Sequence, residues 1–359
     1  MYLMMPLSFT LLTRYPRLRH YSGPLGLLVT AASLIFSSFA TQIWHLIVSQ
    51  GVLCAIGSGL LFSPTTLYLD EWFISRKGMA YGTIWAGKSA GGVAFPFLMS
   101  ALLQRFGVRV TLLAWSLGLV IFTTPLLFFL KPRIPLSNSS NNNQQRPLSW
   151  TFLRHSTFWM LELGNTIQSL GYLLPTTYLS LYAHNIGLPS ITGTILTALF
   201  SLASIPGALV LGCLNDRITP TTTILISSLG SAISIFLFWG LSGSGSAGLG
   251  LLVMFVLGYG FFAGGFSSTY PGVLKEVRRG ESGEVEDGLI MGLLLGGRGV
   301  GFVAGGPVSA GLLKGASDTA AKWGYGTEYG SVIVVTGVTA VLGGWGWGWK
   351  IMRGLVERL

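Results

Sequence analysis

The chain has 359 residues, 50% of them apolar and only 9% charged. A soluble domain carries about 25% charged residues, so there are too few charges here to cover a water-facing surface. The net charge of +10 is spread over short loops, which argues against nucleic acid as a partner, and Cys54 and Cys213 lie in or beside apolar runs, where packing is their default role.

In chain order, the opening MYLMMPLSFTLLT has no basic residue ahead of its apolar part. It reads poorly as a cleaved signal peptide and is too short to span a bilayer. Ten apolar runs follow, predicted as transmembrane helices near 24–43, 45–69, 78–103, 110–130, 156–183, 190–213, 220–242, 248–274, 288–313 and 329–349. They are too long and too apolar for barrel strands. The polar break KPRIPLSNSSNNNQQRPLSW, Lys131 to Trp150, predicts a flexible linker after four spans and before six.

Loop charges test this layout. With RYPRLRH placed in the cytoplasm and the spans alternating, 16 of the 22 basic residues fall on that side and 4 on the other. Such a bias is what the retention of Lys and Arg in short cytoplasmic loops produces. The remaining two, Lys88 and Arg298, lie inside predicted spans.

Lys88 belongs to GTIWAGKS, Gly82 to Ser89, which has the spelling of a phosphate-binding loop. Such a loop needs a strand before it and a helix beginning at the lysine. This stretch instead sits inside a run, Gly78 to Leu103, that can be helical throughout, and Lys88 falls roughly 16 Å past Lys77, about halfway across a hydrocarbon core. The nucleotide reading is therefore rejected on context. On a helix, Tyr81, Trp85, Lys88 and Gly92 form one stripe, while Gly78, Gly82, Gly87 and Gly91 offer small-residue packing surfaces. A second segment repeats the pattern: Gly82, Gly87, Lys88 and Gly91 match Gly292, Gly297, Arg298 and Gly301 at an offset of 210. Two halves related by a weak internal repeat point to a secondary transporter with its site at mid-membrane; convergence of glycines at helix contacts is the alternative.

The stretch GSGLLFSPTTLYLDEWFISRKGMAYGTIWAGKSAGGVAFP resembles the major facilitator superfamily, in its fungal, monocarboxylate-transporter-like branch. Gly57, Gly59, Pro64, Trp72, Phe73, Arg76, Lys77, Gly78, Ala80 and Gly82 fit that pattern; GCLNDR, Gly212 to Arg217, and GGPVSAGLL, Gly305 to Leu313, add to it. The resemblance implies an all-α membrane protein with a major facilitator type helical bundle. It further implies about ten transmembrane helices of the usual twelve, with the first helix and most of the second missing and Met1–Thr13 as the second's tail. The domains expected are a shortened N-terminal bundle over 1–130, a cytoplasmic linker over 131–155 and a C-terminal six-helix bundle over 156–359. Lys88 would lie on the fifth helix and Arg298 on the eleventh. Animal members resembling this chain use an acidic–basic pair on the eighth helix, whereas 190–213 carries no charge here.

Arg298 leads the candidate substrate-binding residues, because its planar fork suits a carboxylate. Lys88, Trp85, Tyr81, Tyr178 and Tyr270 accompany it. A structural ion pair remains the competing role for Arg298, snorkelling or a private ion pair for Lys88, and an interfacial belt for the tyrosines. Glu162, inside a span, is the candidate for proton coupling; a snorkelling carboxylate is its alternative. Asp70, Arg76, Lys77, Asp216 and Arg217 are expected at a cytoplasmic gate. His20, His45, His155 and His184 are scattered without metal-ligand spacing, and no catalytic set, metal or cofactor is expected. The sequence thus points to a carrier, not an enzyme. It would move small organic anions, with the proton as a candidate co-substrate, by alternating access. It would do so as a multi-pass protein of either the plasma or the vacuolar membrane. A non-transporting sensor, or an inactive truncated remnant of a transporter, is the alternative.

Overall fold

Backbone N–H and C=O groups in lipid have no water to bond, so an apolar span must satisfy them internally, as a helix does. The computed structural model describes residues 1–133, 148–243, 246–279, 286–319, 325 and 327–356, and among these every regular element is helical. In chain order the helices are α1 Met5–Arg14, α2 Leu18–Ser38, α3 Ile43–Leu46, α4 Cys54–Trp72, α5 Lys77–Phe129, α6 Ser156–Tyr172, α7 Leu174–Asn185, α8 Ser190–Arg217, α9 Pro220–Ile233, α10 Ser246–Gly264, α11 Tyr270–Arg279, α12 Asp287–Thr319, α13 Gly330–Gly343 and α14 Trp345–Val356. Wider π-type turns, Ile47–Leu53 and Ser234–Trp239, continue α3 into α4 and extend α9.

Eight of the described helices are long and apolar enough to cross a membrane. The 53-residue α5 counts once among them, but it bends at Gly107, whose φ of 73° only glycine adopts readily. The run predicted over 156–183 is also helical, broken at Leu173, just ahead of Pro175. Splitting α5 and adding α6–α7 brings the eight to the ten spans expected. The linker expected over 131–155 lies largely outside the described residues.

The contacts group into two units that interleave along the chain. One comprises Met1–Ser75, Leu98–Thr151 and Glu281–Gly296; the other comprises Arg76–Phe97, Phe152–Gly280 and Gly297–Leu359. Small residues bring helices together within each unit. In the first unit, Gly26 and Gly57 bring α2 and α4 together: a Cβ at Gly26 would stand 2.6 Å from the Gly57 carbonyl oxygen. Gly288 and Gly292 seat the start of α12 against Thr13 and Phe9 of α1. In the second unit, Gly78 and Gly82 seat α5 on Gly212 and Ala208 of α8. A buried cluster around Trp239, Tyr182, Phe255 and Tyr259 forms the apolar core of that second unit.

Candidate functional site

The stretch GTIWAGKS lies within α5, which runs helical from Lys77. Its backbone N–H groups are spent inside the helix, and nothing there has the open loop of a phosphate cradle. Tyr81 and Trp85 are buried, while Lys88 is exposed and lies over the Trp85 ring at 5.1 Å. Gly78 and Gly82 pack on α8, as does Gly92 against Ser201, but a Cβ at Gly87 would meet nothing within 4 Å.

The repeat copy in α12 is built differently. A glycine every fourth position, Gly297, Gly301 and Gly305, presses on α6. Gly301 lies against the carbonyl oxygen of Thr166, and Gly305 against that of Leu170. This close approach presents Arg298 to the polar side of α6. Arg298 is only 2% exposed. Its Nη1 donates to Gln168 Oε1 at 3.1 Å and to the Tyr270 hydroxyl oxygen at 3.4 Å. Three rings hold its guanidinium: Tyr172 at 4.7 Å, Phe302 at 5.1 Å and Phe266 at 5.4 Å. The Tyr270 hydroxyl in turn donates to Asn165 Oδ1 at 2.9 Å.

Glu162 is 9% exposed, and its carboxylate rests on Gly297, one residue before Arg298. The Asn165 amide hydrogen-bonds that carboxylate, while Oε2 is buried without a hydrogen-bond partner. Two residues earlier on α6, the Met160 carbonyl accepts from Trp345 Nε1 at 3.0 Å.

The structure therefore brings Arg298, Tyr270 and Glu162 into one cluster. Tyr178 sits apart, its hydroxyl 2.9 Å from Ser309 Oγ and its ring beside that of Tyr329. Asn165, Gln168, Phe266 and Phe302 are the members that sequence reasoning missed. The signal for the first two was present: Glu162, Asn165 and Gln168 make a polar stripe at three-residue spacing in an apolar helix.

Of the residues expected at the gate, Asp216 makes the clearest contact. It caps the start of α5, accepting the backbone N–H of Gly78 at 2.8 Å and of Met79 at 2.9 Å. Arg76 enters that turn with a φ of 57°. Lys77 is half-buried and Arg217 exposed. In the other unit, beside Asp70, it is Glu71 that pairs with Arg19, at 2.6 Å. Arg133 donates to the carbonyl oxygens of Glu71 and Trp72.

Apolar helices seated on one another through glycine, with a buried arginine and carboxylate between them, define an integral, multi-pass helical membrane protein. The chain belongs to the Major Facilitator Superfamily, whose sequence profile matches residues 1–285. It is 26% identical over 319 residues to the MFS-type transporter pynF of Aspergillus niger, covering 88% of this chain and 70% of that one. Over 216 residues it is 26% identical to the Probable transporter MCH2 of Saccharomyces cerevisiae, covering 60% of this chain and 46% of the yeast protein. The chain thus spans less than half the length of that yeast relative. Among solved structures, the E. coli fucose:proton symporter FucP shares the fold, with a TM-score of 0.65 at 14% identity over 95% of this chain and 88% of the symporter.

Proposed function

We propose that the chain forms the larger part of a secondary carrier for small organic anions of the monocarboxylate type, working by alternating access. Arg298 is the group that engages the anion. The bundles over 1–130 and 156–359 are the parts that move. One observation carries the reading. A guanidinium at membrane depth costs several kcal/mol unless it serves a purpose, and here it is 2% exposed and clamped by three ring faces. Rings on its faces fix its plane, and a fixed plane directs the N–H edge for two parallel bonds to a carboxylate.

Glu162 supplies a carboxylate in the same cluster and is the proposed proton carrier. Asp216, with Arg76, Lys77, Asp70 and Arg217, is proposed for the cytoplasmic gate. Tyr270 lines the anion position; Tyr81, Trp85, Lys88 and Tyr178 are secondary contacts. The test is uptake of labelled monocarboxylates in a yeast strain lacking its own carriers, expressing the full-length gene. Arg298→Gln abolishes uptake while membrane abundance stays unchanged. Undiminished uptake removes Arg298 from the site, and uptake of none of the anions by the unaltered protein favours the non-transporting reading.

A further inference from the structure

Gln168 Oε1 accepts from Arg298 Nη1 at 3.1 Å. An arginine only donates, so this bond fixes which way the amide lies, with its oxygen toward the guanidinium and its nitrogen away from it. The stem of the side chain is held as well. It meets α13 at Gly343, where a Cβ would stand 2.7 Å from Gln168 Cβ and 3.0 Å from Cγ. Gln168 is 4% exposed, yet among the described residues its nitrogen makes no hydrogen bond. Nor is that nitrogen sealed in, as Glu162 Oε2 is. Two N–H donors therefore stand beside Arg298 without an acceptor. Gln168, Gly343 and Arg298 all lie in one unit of the fold.

We propose that Gln168 is the specificity-determining residue of the anion site: its nitrogen donates to an acceptor oxygen on the carbon next to the carboxylate. The anions it selects carry an ether, hydroxyl or carbonyl oxygen there, in preference to unsubstituted alkanoates. This rests on the anion reading of Arg298 given above. Nitrogen and oxygen of one amide are about 2.3 Å apart, so the Gln168 nitrogen lies no more than about 5.4 Å from Arg298 Nη1. A carboxylate oxygen and an oxygen on the neighbouring carbon lie about one hydrogen-bond length apart. One of them can meet the guanidinium while the other meets the amide, each about 2.9 Å from its donor.

The direction of the amide decides what is accepted. An amide nitrogen only donates, so any acceptor oxygen satisfies it. A methyl or methylene group in the same place leaves both N–H groups facing carbon, and a donor left so weakens binding. A site that sets a polar group against its substrate discriminates against the analogue that lacks the partner. Because water still reaches this nitrogen, the discrimination is about tenfold, not the roughly ten-thousandfold of a sealed site.

The test uses the purified full-length chain in detergent and two pairs of anions matched in size. Glycolate and propionate exchange a hydroxyl for a methyl; methoxyacetate and butyrate exchange an ether oxygen for a methylene. Affinity is read from thermal stabilisation at rising anion concentration. In the unaltered protein the oxygen-bearing member of each pair binds about tenfold tighter. Gln168→Met keeps the length of the side chain and removes the amide, and both ratios fall to within about twofold of unity. A structural role, or mere loss of the acceptor that Arg298 finds in Oε1, would weaken all four anions alike and leave the ratios standing. Equal affinities within each pair in the unaltered protein overturn the proposal, as do ratios that survive in Gln168→Met. A preference for glycolate without one for methoxyacetate overturns it too, because the substrate oxygen is then the donor. If Gln168→Met does not fold, methoxyacetate against butyrate in the unaltered protein decides alone. None of these results touches the anion reading. Failure of all four anions to bind the unaltered protein overturns that reading and the role of Gln168 together.

Discussion

Asp216 holds the first turn of α5 through Gly78, whose backbone N–H it receives at 2.8 Å while its other oxygen takes that of Met79 at 2.9 Å. The first N–H groups of a helix have no partner inside it, and a carboxylate there satisfies two of them and meets the positive end of the helix dipole. Loss of such a cap costs about 0.5–2 kcal/mol. Asp216→Ala lowers the thermal midpoint of the detergent-solubilised protein. Asp216→Asn, which keeps one acceptor and loses the charge, lowers it by less. Equal midpoints for all three proteins would mean that the cap contributes nothing to holding α5 on α8.

Gly301 and Gly87, one from each of the two repeats, make opposite predictions. A Cβ at Gly301 would come 2.5 Å from the Thr166 carbonyl oxygen and 2.7 Å from the Ser169 Cβ. Backbone atoms cannot step aside cheaply, so Gly301→Ala costs about 1–3 kcal/mol and lowers the yield of folded protein. Gly87→Ala meets nothing within 4 Å and gains about 1 kcal/mol of helix propensity. Fluorescence-detected size-exclusion profiles after heating separate the two: the first shifts to aggregate earlier than the unaltered protein, the second no earlier.

That contrast marks how far the sequence could be read. Run length was enough to place the spans, because lipid imposes length and polarity on any helix that crosses it. The glycine repeat at an offset of 210 was visible as spelling. Which glycine receives a neighbour is decided by the helix that arrives: α6 at Gly301, and none of the described residues at Gly87. Arg298 and Glu162 stood out as charges in apolar runs. Their connection through Asn165 and Tyr270 did not, since two of the links join residues more than a hundred positions and 28 positions apart. Arg19 went astray in the other direction. Its place in RYPRLRH made it a loop charge, but the helix begins at Leu18 and buries it.

Arg19 carries the next prediction. Its Nη1 pairs with Glu71 Oε1 at 2.6 Å and its Nε donates to the Leu12 carbonyl oxygen at 2.9 Å, with Arg19 8% exposed and Glu71 20%. Removing one member of a buried pair leaves the other charge unmatched, which costs about 3–5 kcal/mol when burial is complete. The partial exposure of Glu71 lowers that to roughly 2 kcal/mol, since solvent screens the orphaned carboxylate. Arg19→Gln is therefore clearly destabilised in thermal unfolding. Arg19→Lys is rescued only in part, because an ammonium cannot reach Glu71 and the Leu12 carbonyl with the fixed fork of a guanidinium. Full stability of Arg19→Lys would reduce the site to a point charge.

The same chemical distinction tests the anion site more sharply than loss of charge does. Lysine at position 298 keeps the cation and gives up the plane. If attraction alone held the anion, Arg298→Lys would transport nearly as well as the unaltered carrier. The three rings at 4.7, 5.1 and 5.4 Å argue for orientation as the larger contribution, since a stacked guanidinium directs two parallel N–H bonds and an ammonium directs none. Arg298→Lys is expected to lose at least tenfold in uptake at subsaturating anion, about 1.4 kcal/mol, with membrane abundance unchanged. Phe302→Leu removes one ring face, and a desolvated cation–π contact contributes about 0.5–2 kcal/mol. It should therefore produce a smaller loss in the same direction, and in the Arg298→Lys background it should add little, because the plane that Phe302 holds is already gone. Full additivity of the two substitutions would mean that Phe302 packs the helix without orienting the guanidinium.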